Sequence, residues 1–79
     1  MQTIFVQLKC ELGHSYDVAA ELVEQEGVSE VYSTSGQYDL LAKCYLGDGD
    51  DIGRYVASRV QKLEGVRDTY TIITFNAFT

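Results

Sequence analysis

Apolar residues alternate from the start of the chain. Ile4, Val6, Leu8 and Cys10 fall on one face of a strand over Thr3–Cys10, with Thr3, Gln7 and Lys9 on the other. Only Phe5 breaks the polar face. The period then changes. Beyond Gly13-His14-Ser15, the residues Val18, Ala19, Leu22 and Val23 recur at helical spacing. Ser15 is the expected N-cap, Asp17 favours the first turn, and Gly27 closes the helix as a C′ residue. Val28–Thr34 contains Val31, Tyr32 and hydroxyl residues and predicts a second strand; Leu40–Leu46 predicts a third. The loop Gly47-Asp48-Gly49-Asp50-Asp51 ends in capping residues. Ile52, Tyr55, Val56, Val60 and Leu63 then form the apolar stripe of a second helix, which Gly65 ends. Val66–Phe78, rich in Thr, Ile and Phe, predicts a long final strand.

The order β-α-β-β-α-β is that of an α+β, ferredoxin-like domain. Both halves share their punctuation, helix then Glu-Gly-Val then strand, at Glu26-Gly27-Val28 and Glu64-Gly65-Val66. In this architecture helices cover one face of an antiparallel sheet, and a wet second face is expected to be polar. Here it is not. Leu41 and Tyr45 oppose Leu40, Ala42, Cys44 and Leu46 on the third strand. On the fourth, Ile72 and Phe78 oppose Ile73, Phe75 and Ala77. A second copy of the chain is the simplest cover, giving a dimeric α/β barrel.

Length supports the same expectation. Seventy-nine residues make a single domain, 1–79, and a core of this size leaves a monomer marginal. Twelve acidic residues against six basic ones give a net charge of −6, and the Lys and Arg residues are scattered singly. Phosphate-backbone binding needs clustered cations, so direct nucleic-acid binding is not expected, nor is attachment to an anionic membrane. The N-terminus has neither the basic start nor the apolar stretch of a signal peptide, so the expected location is cytoplasmic. Cys10 and Cys44 lack CxxC spacing and are expected to be buried thiols.

Catalytic chemistry finds little support. His14 is the sole histidine, the serines have no nearby base, and GxSxG is absent. The acidic loop lacks the frame and closing Glu of an EF-hand, and neither GxxxxGK[ST] nor GxGxxG occurs. No catalytic residue, metal site or cofactor is expected. The stretch Ser35-Gly36-Gln37-Tyr38-Asp39 differs. A tight hairpin turn at Gly36-Gln37 points N–H groups outward, glycine permits close approach, and Asp39 supplies an acceptor-only anion. A free amino acid needs donors for its carboxylate and acceptors for its ammonium. The alternative is an aspartate that stabilises its own turn.

The pattern S-G-x-[YF]-D, followed about thirty positions later by Gly65-Val66-Arg67-Asp68-Thr69-Tyr70-Thr71, resembles the ligand-sensing (RAM) domain of the Lrp/AsnC transcription regulators. The resemblance spans essentially the whole chain. It implies a non-enzymatic amino-acid-sensing and oligomerisation module of transcription regulation. Its dimers would associate into octameric or decameric rings, with effectors bound where dimers meet. The implied ligand residues are Gly36, Gln37 and Asp39 of the turn, Tyr32 and Thr34 of the second strand, and Thr69, Tyr70 and Thr71 of the fourth. Full regulators carry a helix-turn-helix domain ahead of this module, and none is present here. The expectation is a stand-alone sensor, or a fragment of a longer chain, that does not itself bind DNA and whose partners include full-length regulators. Two alternatives are kept: a small monooxygenase-like enzyme of the dimeric barrel type, for which only Asn76 and His14 stand out, and a purely structural oligomerisation module.

Overall fold

A computed structural model describes residues 1–79. The elements are β1 (Gln2–Cys10), α1 (Ser15–Leu22), β2 (Val28–Ser33), β3 (Leu40–Leu46), α2 (Ile52–Val56) and β4 (Val66–Ile73); α2 runs directly into a π-helical segment, Ala57–Gln61. The sheet is antiparallel in the order β2-β3-β1-β4, as a ferredoxin-like domain requires.

Strand alternation sets the core. Ile4, Val6, Leu8 and Cys10 of β1 lie against Leu40, Ala42, Cys44 and Leu46 of β3, and all eight are buried. Val18 and Leu22 of α1 close over them at i, i+4 spacing, joined by Val56, Val60 and Leu63. Each fully buried Leu, Ile or Val contributes about 1.5–3 kcal/mol relative to exposure. No polar side chain is buried, so the core carries no desolvation penalty of that kind. Both cysteines are free and buried, as expected.

The Glu-Gly-Val repeat has a shared physical cause. Gly27 and Gly65 have φ of +89° and +98°, where side chains other than glycine are strained. Each carbonyl then accepts a hydrogen bond from the end of a neighbouring strand: Tyr45 N to Gly27 O at 2.8 Å and Glu11 N to Gly65 O at 2.7 Å. The two elbows thus pin the two helix-strand junctions to the sheet in the same way.

Several boundaries differ from the sequence reading. β4 ends at Ile73 rather than Phe78, because Ile73 already pairs with Ile4 near the start of β1 and no further strand remains to pair. Thr74 makes the last contacts, N–H and hydroxyl both donating to Thr3 O at 3.4 and 2.6 Å, and Phe75 and Phe78 are almost fully exposed. β2 ends at Ser33, one residue early, although Thr34 N–H still donates to Asp39 O in register with the Ser33–Leu40 pair. Ser15 is the first helical residue and not the N-cap; His14 takes that position without a side-chain bond, while the Ser15 hydroxyl lies beside the Cys10 thiol. Helix α1 stops at Leu22, so Gly27 is not its C′ residue but the elbow beyond a run of turns. Asp51 does cap α2, accepting from Arg54 N at 3.0 Å.

Candidate functional site

The loop between β2 and β3 is longer than a two-residue turn. Thr34 N–H donates to Asp39 O at 2.9 Å and the Thr34 hydroxyl to Tyr38 O at 3.1 Å, so Ser35, Gly36, Gln37 and Tyr38 form the tip. Gly36 has φ +99°, and nothing lies within 4 Å of the position a Cβ would take, so its main chain is open to approach. The N–H groups of Ser35, Gly36, Gln37 and Tyr38 bond to no other group of the chain. Four consecutive donors are therefore left without a partner in the chain, those of Ser35, Gly36 and Gln37 on exposed residues.

Asp39 roots this tip in the middle of the sheet. Its N–H donates to Leu8 O at 2.8 Å, and its Oδ2 accepts from Cys10 N–H at 2.8 Å. The aspartate stabilises the neighbouring strand rather than its own turn. Its other oxygen is unbonded within the chain, and the residue lines a cleft of about 310 Å³ with Gly13, Ser15, Tyr16, Ser33 and Thr34. Burial pushes the Cys10 thiol up; the Ser15 hydroxyl opposes this and the Asp39 charge adds to it. The thiol therefore stays protonated and is no nucleophile.

A second cleft, of about 330 Å³, opens on the other side of the loop between Lys9, Gln37, Tyr38 and Asp68. Tyr38 reaches Tyr70 of β4, with ring centroids 6.3 Å apart and planes tilted by 34°. Lys9 and Asp68 are cross-strand partners, and the β1–β4 register shifts immediately afterwards: Cys10 pairs with Val66, leaving Arg67 as the extra residue of a bulge.

The other expected residues separate by strand parity. Tyr32 pairs with Leu41 and Tyr70 with Gln7, placing both on the sheet face away from the helices. Thr69 and Thr71 pair with Leu8 and Val6 and sit on the helix-covered side. The Thr69 hydroxyl accepts from Gln61 Nε2 at 2.8 Å, at the end of the π-helical segment. The structure thus gathers Thr34, Gly36, Gln37 and Asp39 at the loop and sets Tyr70 beside it through Tyr38. It does not bring Thr69 and Thr71 to the same surface. Tyr32 is engaged elsewhere: its hydroxyl donates to Glu30, which holds the Glu30 carboxyl low, and Glu30 pairs with Lys43 at 3.6 Å. Lys9 and Asp68 were not singled out from the sequence. Their proximity rests on cross-strand register, which no local pattern in the sequence signals.

The uncovered sheet face also carries Phe5, Leu41, Tyr45 and Ile72, with Ile72 pairing with Phe5. Tyr32, Tyr70 and Ile72 are 54%, 56% and 41% exposed. No helix is long and apolar enough to cross a membrane.

Comparison with known proteins places these features in a family. The model of the Lrp/AsnC ligand binding domain matches residues 3–79. A 69-residue stretch, 87% of the chain, is 32% identical to the HTH-type transcriptional regulator FL11 of Pyrococcus furiosus and covers 45% of that protein. The chain spans less than half the length of the curated regulators it matches. TTHA0845 of Thermus thermophilus superposes with a TM-score of 0.92 at 33% identity, over 100% of this chain and 99% of that one. The transcriptional regulator NMB0573 of Neisseria meningitidis, solved as an L-Met complex, shares the fold: TM-score 0.85 at 15% identity, over 99% of this chain and 52% of that one. Matched over nearly all of its residues, the chain belongs to the Lrp/AsnC ligand binding domain family.

Proposed function

We propose that this domain binds an amino acid or similar small effector at the β2–β3 loop. One observation carries the reading: four consecutive unbonded N–H groups, Ser35 to Tyr38, stand between two carboxylates, Asp39 and Asp68. Unbonded N–H groups suit a carboxylate ligand, and a flanking carboxylate suits its ammonium. The L-Met bound by the NMB0573 regulator supports an amino acid as the class. Thermal-shift and calorimetric titration with each of the twenty amino acids tests it. A rise in melting temperature with at least one is expected; a flat response to all twenty would sink the proposal.

The second part of the proposal is assembly. A folded monomer of 8.8 kDa exposes about 4,800 Å² by size scaling. This chain exposes 5334 Å². The excess accords with an uncovered apolar face and an unpaired tail. The domain is proposed to dimerise through the face of Phe5, Leu41, Tyr45, Tyr70 and Ile72, and its dimers to close into rings of four or five. In that setting the effector alters contacts between copies, and through them the activity of regulators that carry or recruit this domain.

A further inference from the structure

The run from Thr69 to Thr79 holds no charged residue, in a chain where 23% of residues are charged. Only its first half is paired, and on one side alone, because β4 is an edge strand. A bare apolar edge invites stray pairing, and folded proteins guard such edges with charges or proline. Those guards are thin here. The chain contains no proline, and β2, the other edge strand, has Glu30 as its single charge. We infer that the segment beyond Thr71 pairs with the β2 edge of a second copy, Phe75 beside the partner's Val31 and Ile73 beside the partner's Ser33, and so closes two sheets into one barrel. The inference rests on the dimer proposed above and assigns the seams of that dimer.

The chain itself offers the tail no strand. Thr74 makes the last bonds to β1, both to Thr3 O, and the chain start is drawn aside by Asp48, whose Oδ1 lies 2.7 Å from the Met1 ammonium. The β2 strand of the same copy stands three strand spacings from β4, about 14 Å away. The two free edges match in backbone polarity. Thr74 N–H turns towards β1, so in an extended tail the N–H and C=O groups of Ile73 and Phe75 turn outward. Thr34 N–H turns towards β3, so those of Val31 and Ser33 turn outward from β2. Three antiparallel steps separate β2 from β4, so the two run in opposite directions. A two-fold axis along the strands then sets β4 of each copy antiparallel to β2 of the other.

Barrel geometry selects the register. One row of cross-strand partners, Val31, Ala42, Val6 and Thr71, crosses all four strands. An eight-stranded barrel tilts its strands by about 36° and returns such a row to its first strand displaced by about eight residues. Two-fold symmetry divides the displacement equally, about four residues at each seam. Right-handed crossovers and a right-handed tilt direct the step towards the C-terminal end of β4, from Thr71 to Phe75. The tail is the length of strand that closure consumes. Val31 already packs against the core of its own subunit, so Phe75 beside the partner's Val31 extends that core. Phe78, of opposite parity, turns to the barrel interior. Both rings are almost fully exposed in the single chain, and each buries about 150–250 Å² when covered.

The test uses the full chain. Carbon-13-labelled and unlabelled protein are mixed in urea and refolded together, and isotope-filtered NMR records contacts between copies. The expected result is a contact from the Phe75 ring to the partner's Val31 methyl groups. The Val31 and Ser33 amides, which face no other strand in the single chain, are expected to be protected from hydrogen exchange. Removal of residues 75–79, or Phe75→Asp, is expected to weaken dimerisation about tenfold or more on dilution, followed by sedimentation. The same variants should speed exchange at Val31 and Ser33 about tenfold while the β1 amides stay protected, which shows that they are folded. A wild-type dimer in which Val31 and Ser33 exchange freely, and whose affinity the truncation leaves unchanged, would overturn the inference and leave face-to-face packing standing. A contact from Phe75 to Val31 of the same copy would overturn it as well. A monomeric wild type would overturn both.

Discussion

The Tyr55 hydroxyl donates to the Glu26 carbonyl at 2.7 Å and lies 2.9 Å from the place where a Cβ on Gly27 would stand. The Tyr45 carbonyl is equally close to that place. Gly36 has a similar positive φ but open space around it. The pair separates two effects, strain and crowding. Gly36→Ala is expected to cost about 1–2 kcal/mol from the left-handed backbone alone. Gly27→Ala adds displacement of a backbone carbonyl and should cost about 1–3 kcal/mol more. Urea unfolding of the two variants checks the order; equal midpoints would show that the elbow is not crowded.

Asp39 is expected to matter for stability as well as for loop shape. Asp39→Ala leaves the half-buried Cys10 N–H without its acceptor, at a cost of about 1–3 kcal/mol. Asp39→Asn retains an oxygen there and should recover most of the loss. Thermal unfolding of both variants measures this, and an Ala variant as stable as wild type would show that water replaces the carboxylate without penalty.

Dimerisation through the uncovered face predicts a mass of twice 8.8 kDa or a multiple of it by light scattering. Leu41→Lys places a charge at the centre of that face and is expected to shift the protein towards monomer while circular dichroism remains native. Wild-type melting temperature should also fall on dilution, since association stabilises the folded chain. A monomeric wild type, or an L41K variant that associates unchanged, would refute the barrel.

Alkaline pH offers a separate check on the interior. Burial raises the Cys10 and Cys44 thiols above their ordinary value of 9.0 and raises the Tyr55 phenol as well. In the unfolded chain these groups lose protons first, so the unfolded state binds fewer protons as pH climbs. Their contribution is therefore full below pH 9 and is lost as pH rises through the higher folded values. Unfolding midpoints measured from about pH 8 upward should fall in the alkaline range, and Cys44→Ala should lessen the slope. Thiol alkylation of the native protein is expected to be at least tenfold slower than in urea.

The sequence made the core legible because strand and helix periods state directly which side chains share a face. All eight predicted inward positions of β1 and β3 are buried. What failed was anything that depends on a partner strand. The run Phe75 to Phe78 reads as strand by composition, but β1 begins at Gln2 and the pairing is used up at Ile73–Ile4 and the Thr74–Thr3 contact. The site was half legible for the same reason. Gly36 and Asp39 announce a loop locally, whereas the proximity of Lys9, Tyr38 and Asp68 depends on register and on a bulge that spacing cannot reveal. Thr69 and Thr71 were grouped with Tyr70 by the family resemblance, whereas neighbouring residues of a strand point to opposite faces. The π-helical turn at Ala57–Gln61 left no signal in the apolar stripe, since Val60 and Leu63 face inward either way.

The Thr34–Asp39 clasp has a kinetic meaning. A four-residue tip closed at its base, and rooted through Leu8 and Cys10 in a central strand, has little freedom left to surrender when a ligand arrives. If the proposed effector binds here, such a loop would act as a fixed receptor and not as a lid: capture would proceed in one diffusive step without a preceding rearrangement, and discrimination among ligands would fall on how fast each one leaves.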